Sequence, residues 1–145
     1  MNRQINKLFF GVLLFPIYLL GKLVPKSDNL WIFGAWYGNR YSDNTSYLFE
    51  YVNKEKINVT AVWLSNKSEI ISNLRSKGYK AYYKNSILGF YYGCRASATF
   101  VNCGYSDVNI YAIKKSLKVQ LWHGIPLKKI KYDDEINENK HHNSL

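Results

Sequence analysis

Near the end of the chain the stretch KVQLWHGIPLKKI, 118–130, places His123 between a tryptophan and a glycine, in a sequence of 145 residues with three histidines. An imidazole titrates near neutrality, so in a crevice at a strand end it can take or give a proton under ordinary conditions. Gly124 lets the backbone turn or a substrate approach closely, and Pro126 suits the first turn of a following helix. If LKKIKYDDE continues as that helix, its unpaired N–H groups and positive dipole end face the crevice. Lys128 and Lys129 add mobile positive charge suited to phosphate. Phosphoryl transfer to a hydroxyl needs such a set: a base for the attacking alcohol, and cations for the charge on the transferred group. A lone histidine at a strand end is more often structural, so residue types alone leave both readings open. His141 and His142 fall in a polar tail and read as solvated. Without further ligands they are a weak metal signal, and no metal or cofactor site is expected.

A second distinctive loop, GAWYGNRYSDN at 34–44, has neither P-loop lysine spacing nor a G-x-G-x-x-G pattern. Asp43 and Asn44 read most economically as caps of a following helix; orienting substrate hydroxyls is the sharper alternative. Trp36, Tyr37 and Tyr41 can stack on a sugar or polyol, or can simply pack at a sheet edge.

The elements that position these loops follow from hydrophobic pattern. LWIFGA (30–35), NVTAVWL (58–64), YKAYY (79–83), ATFVNC (98–103) and KVQLWH (118–123) read as five strands. Helical patterns separate the first four: SDNTSYLFEYVNKE, with Leu48, Phe49 and Val52 on one face; KSEIISNLRSKG, ended by Gly78; and SILGFYYGCRAS. Strands alternating with helices predict an α/β fold, a Rossmann-like parallel sheet with helices on both faces. Sites in such folds sit at the carboxyl ends of the strands. Both loops leave such ends, which puts them on one rim.

Residues 1–26 read as a hydrophobic membrane-associating segment, 27–132 as the folded domain and 133–145 as a polar, disordered tail. The uncharged run from Leu8 to Gly21 is shorter than the roughly 20 residues of a spanning helix, and Pro16 interrupts it. Arg3, Lys7, Lys22 and Lys26 flank it as anchors to anionic headgroups would; a buried helix, a signal peptide and a span are the alternatives. Twenty Lys and Arg against ten Asp and Glu give a formal charge of +10, which attracts nucleic acid, phospholipid or phosphorylated substrates alike. Six lysines lie between Lys114 and Lys131 with no acid among them, yet no nucleic-acid motif accompanies them, so nucleic acid is not the expected partner. Cys94 and Cys103 make no CxxC pair and read as reduced, buried thiols.

IFGAWYGNRYSDNTSYLFEYV and VQLWHGIPLKKI, separated by βαβ units and preceded by a hydrophobic segment, resemble the CDP-glycerol glycerophosphotransferase family, over about Leu30 to Ile130. The resemblance implies the acceptor-side, N-terminal half of a GT-B fold. It implies a peripheral enzyme at the cytoplasmic face of the bacterial membrane. Such an enzyme transfers polyol phosphate from CDP-glycerol or CDP-ribitol to a lipid-linked polyol-phosphate acceptor in teichoic acid synthesis and releases CMP. It implies His123 as catalytic base, with Gly38, Asp43 and Asn44 bordering the acceptor; the residue chemistry adds Gly124, Lys128 and Lys129 as substrate-binding residues. The family's second half, which binds most of the CDP moiety, has no counterpart among these residues. A fragment or split subunit completed by a second chain or by oligomerisation, and a non-catalytic membrane-bound remnant that binds a partner, are therefore the alternatives to a self-sufficient enzyme.

Overall fold

Five strands form one all-parallel sheet in the computed structural model, which describes residues 24–124 except Lys56. They are β1 (Ser27–Phe33), β2 (Thr60–Ser65), β3 (Lys80–Tyr83), β4 (Ala96–Val101) and β5 (Leu117–Gln120), in the order β3-β2-β1-β4-β5. Helices α1 (Asp43–Lys54), α2 (Ser68–Ser76) and α3 (Ile87–Arg95) connect the first four strands. Chain 1–2–3 winds to one side of β1; the crossover through α3 returns to its other side. The switch point therefore lies between β1 and β4, where Phe33 is in register with Phe100.

The central strands are buried on both faces, and side-chain alternation sorts their residues into two cores. One face carries Phe33, Ala61, Trp63, Ala81, Ala98 and Phe100 under Phe49 and Val52 of α1 and Ile71 and Leu74 of α2. Phe33 stacks on Phe100 with centroids 4.9 Å apart and meets Phe49 edge-on at 5.3 Å. The other face carries Leu30, Ile32, Val62, Leu64 and Val101, covered by Val108, Ile113 and Tyr92 of α3. There α3 lies so close to the 3-10 segment Ala112–Lys115 that a Cβ on Gly93 would stand 2.6 Å from that of Ala112. The expected fold class is thus observed, with helices on both faces.

Boundaries differ from the pattern-based ones in instructive ways. Strand β1 begins at Ser27, three residues before the apolar run LWIFGA, because parallel pairing to Ala96 recruits backbone regardless of side-chain polarity. Strand β4 runs 96–101 rather than 98–103, which moves Cys103 into the rim loop, half-buried rather than buried, while Cys94 is buried in α3; both are free thiols. Strand β5 ends at Gln120, so His123 stands in a loop three residues beyond it. The membrane-associating segment falls almost wholly on residues outside the described ones, as do Pro126, Lys128, Lys129, His141, His142 and the polar tail. No described helix is long and apolar enough to cross a membrane.

Helix α1 packs on the sheet through its buried face. Phe49→Ala should cost about 3–5 kcal/mol in urea unfolding, since Phe49 is fully buried among aromatic rings. Tyr47→Ala, at a position 73% exposed, should move stability by less than about 0.5 kcal/mol.

Candidate functional site

The carboxyl rim between β1, β4 and β5 holds every non-glycine residue with positive φ among those described: Trp36 (φ 48°), Tyr37 (58°), Asp43 (64°) and Trp122 (64°). Bulky residues avoid this region, at a cost of about 1–3 kcal/mol each, and persist there only when their surroundings over-determine them. The surroundings here are specific. The Trp36 backbone N–H donates to Oδ1 of buried Asn102 at 3.1 Å, and the Tyr37 N–H donates to Oδ1 of Asp107 at 2.7 Å. Asn66 and Lys84 donate to the Tyr37 carbonyl at 3.0 and 2.9 Å. Gly38, at φ +85°, closes the turn, and its carbonyl accepts from the Ser65 hydroxyl and the Asn66 N–H.

Asp107 anchors the neighbouring loop. Fully buried, its carboxylate also accepts the backbone N–H groups of Asn102 and Cys103 at 3.0 and 2.9 Å and, more distantly, that of Gly104 at 3.4 Å. Lys84 bridges the Tyr37 and Ser106 carbonyls at 2.9 Å each. Burial holds the Lys84 ammonium below its ordinary pKa, against the opposing pull of Asp107. Burial and then the Asp107 charge push the Cys103 thiol up.

Asp43 and Asn44 are not the side-chain caps their position suggests. The start of α1 carries no side-chain cap bond. Both residues instead reach sideways across the rim. The Asp43 carboxylate accepts from the Trp36 indole N–H, the Ser42 hydroxyl (3.1 Å) and the Asn102 amide (3.2 Å). The Asn44 amide donates to the carbonyls of Leu121 and Trp122 at 3.0 and 3.2 Å, tying the helix start to the loop that carries His123. The exposed His123 ring stacks on Trp122 (centroids 5.0 Å, 29°) and packs against Trp36 (5.3 Å, 60°). Two indoles set the imidazole plane, and a Cβ at Gly124 would meet no described atom within 4 Å.

The expected residues Gly38, Asp43, Asn44, His123 and Gly124 therefore share one rim, with Gly38 spent on the turn and Asn44 on the loop. Tyr41 belongs to the core: its ring lies 4.6 Å from that of Trp63 and its hydroxyl donates to Glu50. Tyr37 is exposed. Residue patterns alone did not single out Asn102, Asp107, Lys84 or Arg40, whose guanidinium carbon lies 4.8 Å from the Trp36 ring centroid. The available signal was NCGYSD, polar residues leaving a buried strand at the rim where loops carry function. Chemically, the rim offers a fixed, solvent-facing imidazole beside cationic and amide groups.

Residues 17–144 match the family described as CDP-Glycerol:Poly(glycerophosphate) glycerophosphotransferase. A teichoic acid glycerol-phosphate transferase of Staphylococcus aureus is 34% identical over 120 residues, covering 81% of this chain and 30% of that protein. A teichoic acid poly(glycerol phosphate) polymerase of Bacillus spizizenii is 28% identical over 118 residues, 79% of this chain and 29% of that one. Among solved structures, the wall teichoic acid polymerase TagF superposes with a TM-score of 0.63 at 21% identity, over 91% of this chain and 34% of that one. A TagF variant soaked with CDPG gives 0.61 at 23% identity, over 91% and 35%. The chain spans about a third of the length of these relatives.

Two substitutions probe the rim. Asp107→Ala should lower stability by about 3 kcal/mol or more, because it strands several buried N–H groups at once. Asn44→Ala should cost about 1 kcal/mol and speed amide exchange at Trp122 and His123 while leaving β1 and β2 protected; unchanged exchange in that loop would remove Asn44 from the positioning role.

Proposed function

We propose, from the premise that the chain belongs to the CDP-glycerol:poly(glycerophosphate) glycerophosphotransferase family, that its rim is the acceptor side of a polyol-phosphate transfer site. The donor favoured by the family description is CDP-glycerol rather than CDP-ribitol. The acceptor is a hydroxyl of a lipid-linked polyol phosphate, as in teichoic acid synthesis. One observation carries the reading: four strained residues, Trp36, Tyr37, Asp43 and Trp122, cluster around an exposed imidazole whose plane two indoles set.

In this mechanism His123 takes the proton of the acceptor hydroxyl. The freed oxygen attacks the glycerol-bearing phosphorus of CDP-glycerol, the bond from that phosphorus to the bridging oxygen breaks, and CMP leaves with the electron pair. Trp36 and Trp122 hold the imidazole for that role, and Asn44 fixes the carbonyls of the loop behind it. Lys128 and Lys129 stabilise charge on the transferred group. Gly124 keeps space beside the base for the acceptor.

The wider arrangement belongs to the same proposal. The Rossmann-like domain is the first half of a two-domain GT-B arrangement, supported by its superposition on TagF. The nucleotide of the donor is held outside the described residues, by further chain or by a second subunit. The basic, hydrophobic stretch 1–26 holds the protein at the cytoplasmic membrane face, supported by its flanking cations and the net charge of +10.

The test is CMP release from CDP-glycerol, with a lipid-linked glycerol-phosphate acceptor, by the chain purified in detergent. His123→Ala should reduce release by about 100-fold or more. Release that survives the substitution sinks His123 as base, and a wild-type chain that releases no CMP sinks the reading that this chain catalyses by itself.

A further inference from the structure

Trp36 has two cationic or potentially cationic neighbours. His123 packs against its ring at 5.3 Å, and the Arg40 guanidinium carbon lies 4.8 Å from its centroid. Arg40 is exposed, and no described carboxylate pairs with it; the ion pair among the described residues joins Lys54 to Glu50. A guanidinium stacked on an indole spends its face on the ring and keeps its in-plane N–H fork free, the geometry that grips two phosphate oxygens at once. The Asp43 carboxylate accepts hydrogen bonds from the Trp36 indole, Ser42 and Asn102 and forms no ion pair with Arg40.

We propose that Arg40 binds the phosphate of the acceptor's terminal polyol-phosphate unit, while His123 engages the free hydroxyl of the same unit. This deepens the reading of the rim as an acceptor site and rests on it. Both groups lie about 5 Å from one ring, so they are no more than about 10 Å apart. A three-carbon polyol phosphate spans about 6 Å from far hydroxyl to phosphorus. Hydrogen bonds of about 3 Å at each end let it bridge that gap. Trp36 is then the spacer that sets the distance between base and phosphate, and Arg40 selects an acceptor that ends in a phosphorylated polyol over a neutral sugar. The ligand class is a phosphate ester with a hydroxyl one short carbon chain away, presented either on a polyol-phosphate chain end or on a lipid headgroup.

Calorimetric titration of the purified chain tests this with three probes: glycerol 1-phosphate, inorganic phosphate, and phosphatidylglycerol vesicles set against phosphatidylcholine vesicles. Arg40→Gln should weaken glycerol 1-phosphate about 10-fold or more, and Arg40→Lys should recover only part of that, because a point charge lacks the fork. His123→Gln should weaken glycerol 1-phosphate and leave inorganic phosphate unchanged. Arg40-dependent binding of the soluble ester supports a chain-end ligand, and dependence confined to phosphatidylglycerol vesicles supports a headgroup. Equal binding of every probe by wild type and Arg40→Gln, or no binding by either, overturns the proposal, provided circular dichroism shows both folded. The two readings fail separately: His123-dependent CMP release with Arg40-independent binding removes the Arg40 site alone. Arg40-dependent binding without CMP release leaves a polyol-phosphate site on a chain that does not catalyse.

Discussion

The Asp107 carboxylate sits without solvent at the junction of two loops and accepts backbone N–H groups from both. On one side it holds the chain as it leaves β4; on the other it grips Tyr37, in the loop that leaves β1. Without that grip the left-handed turn at Trp36 and Tyr37 has little reason to persist. Two bulky residues there cost about 1–3 kcal/mol each, and a hydrogen bond to a charged acceptor returns about 1.5–3 kcal/mol. One such bond therefore falls short. The turn needs the Asp107 bond together with the Asn102 bond to Trp36 and the clamps from Ser65, Asn66 and Lys84.

The chain of dependence then runs outward. Asn102, fixed through its own N–H by Asp107, turns its side-chain oxygen to Trp36 and its amide to Asp43. Asp43 receives the indole N–H, and the indole in turn supplies one wall of the His123 site. Asn44 closes the circuit from the adjacent helix position by holding the Leu121 and Trp122 carbonyls. The chemistry-bearing imidazole makes none of these bonds. It is placed by packing against rings that the polar network has already oriented.

The parallel sheet was legible because its strands are continuous apolar runs, and Phe33, Trp63 and Phe100 land in the core their pattern predicts. His123 was legible because an imidazole between Trp and Gly beside lysines has a definite chemical use. Strand ends were read less well: pairing at Ser27 and the left-handed turn at Trp122 depend on neighbours distant in sequence. Asp43 and Asn44 stood out for their types, but local rules assigned them to capping. Their actual partners, Trp36, Asn102, Leu121 and Trp122, become neighbours only once β1, β4 and β5 lie side by side. Asp107 and Asn102 carry no motif, because accepting or donating to backbone places no demand on the identity of the residues they hold.

The strand order has a consequence for how the molecule comes into being. The β1-β2-β3 half can close early through short crossovers, whereas β4 must return across two strands to reach the free edge of β1, some 65 residues along the chain from it. Until it arrives, neither Asn102 nor Asp107 exists as a partner, and the residues around Trp36 relax to ordinary conformations. The rim is therefore the last part of the domain to mature, and on a ribosome it cannot form before the β5 loop has emerged. A nascent chain released or cleaved before that point lacks the partners that hold Trp36, Tyr37 and His123 in place.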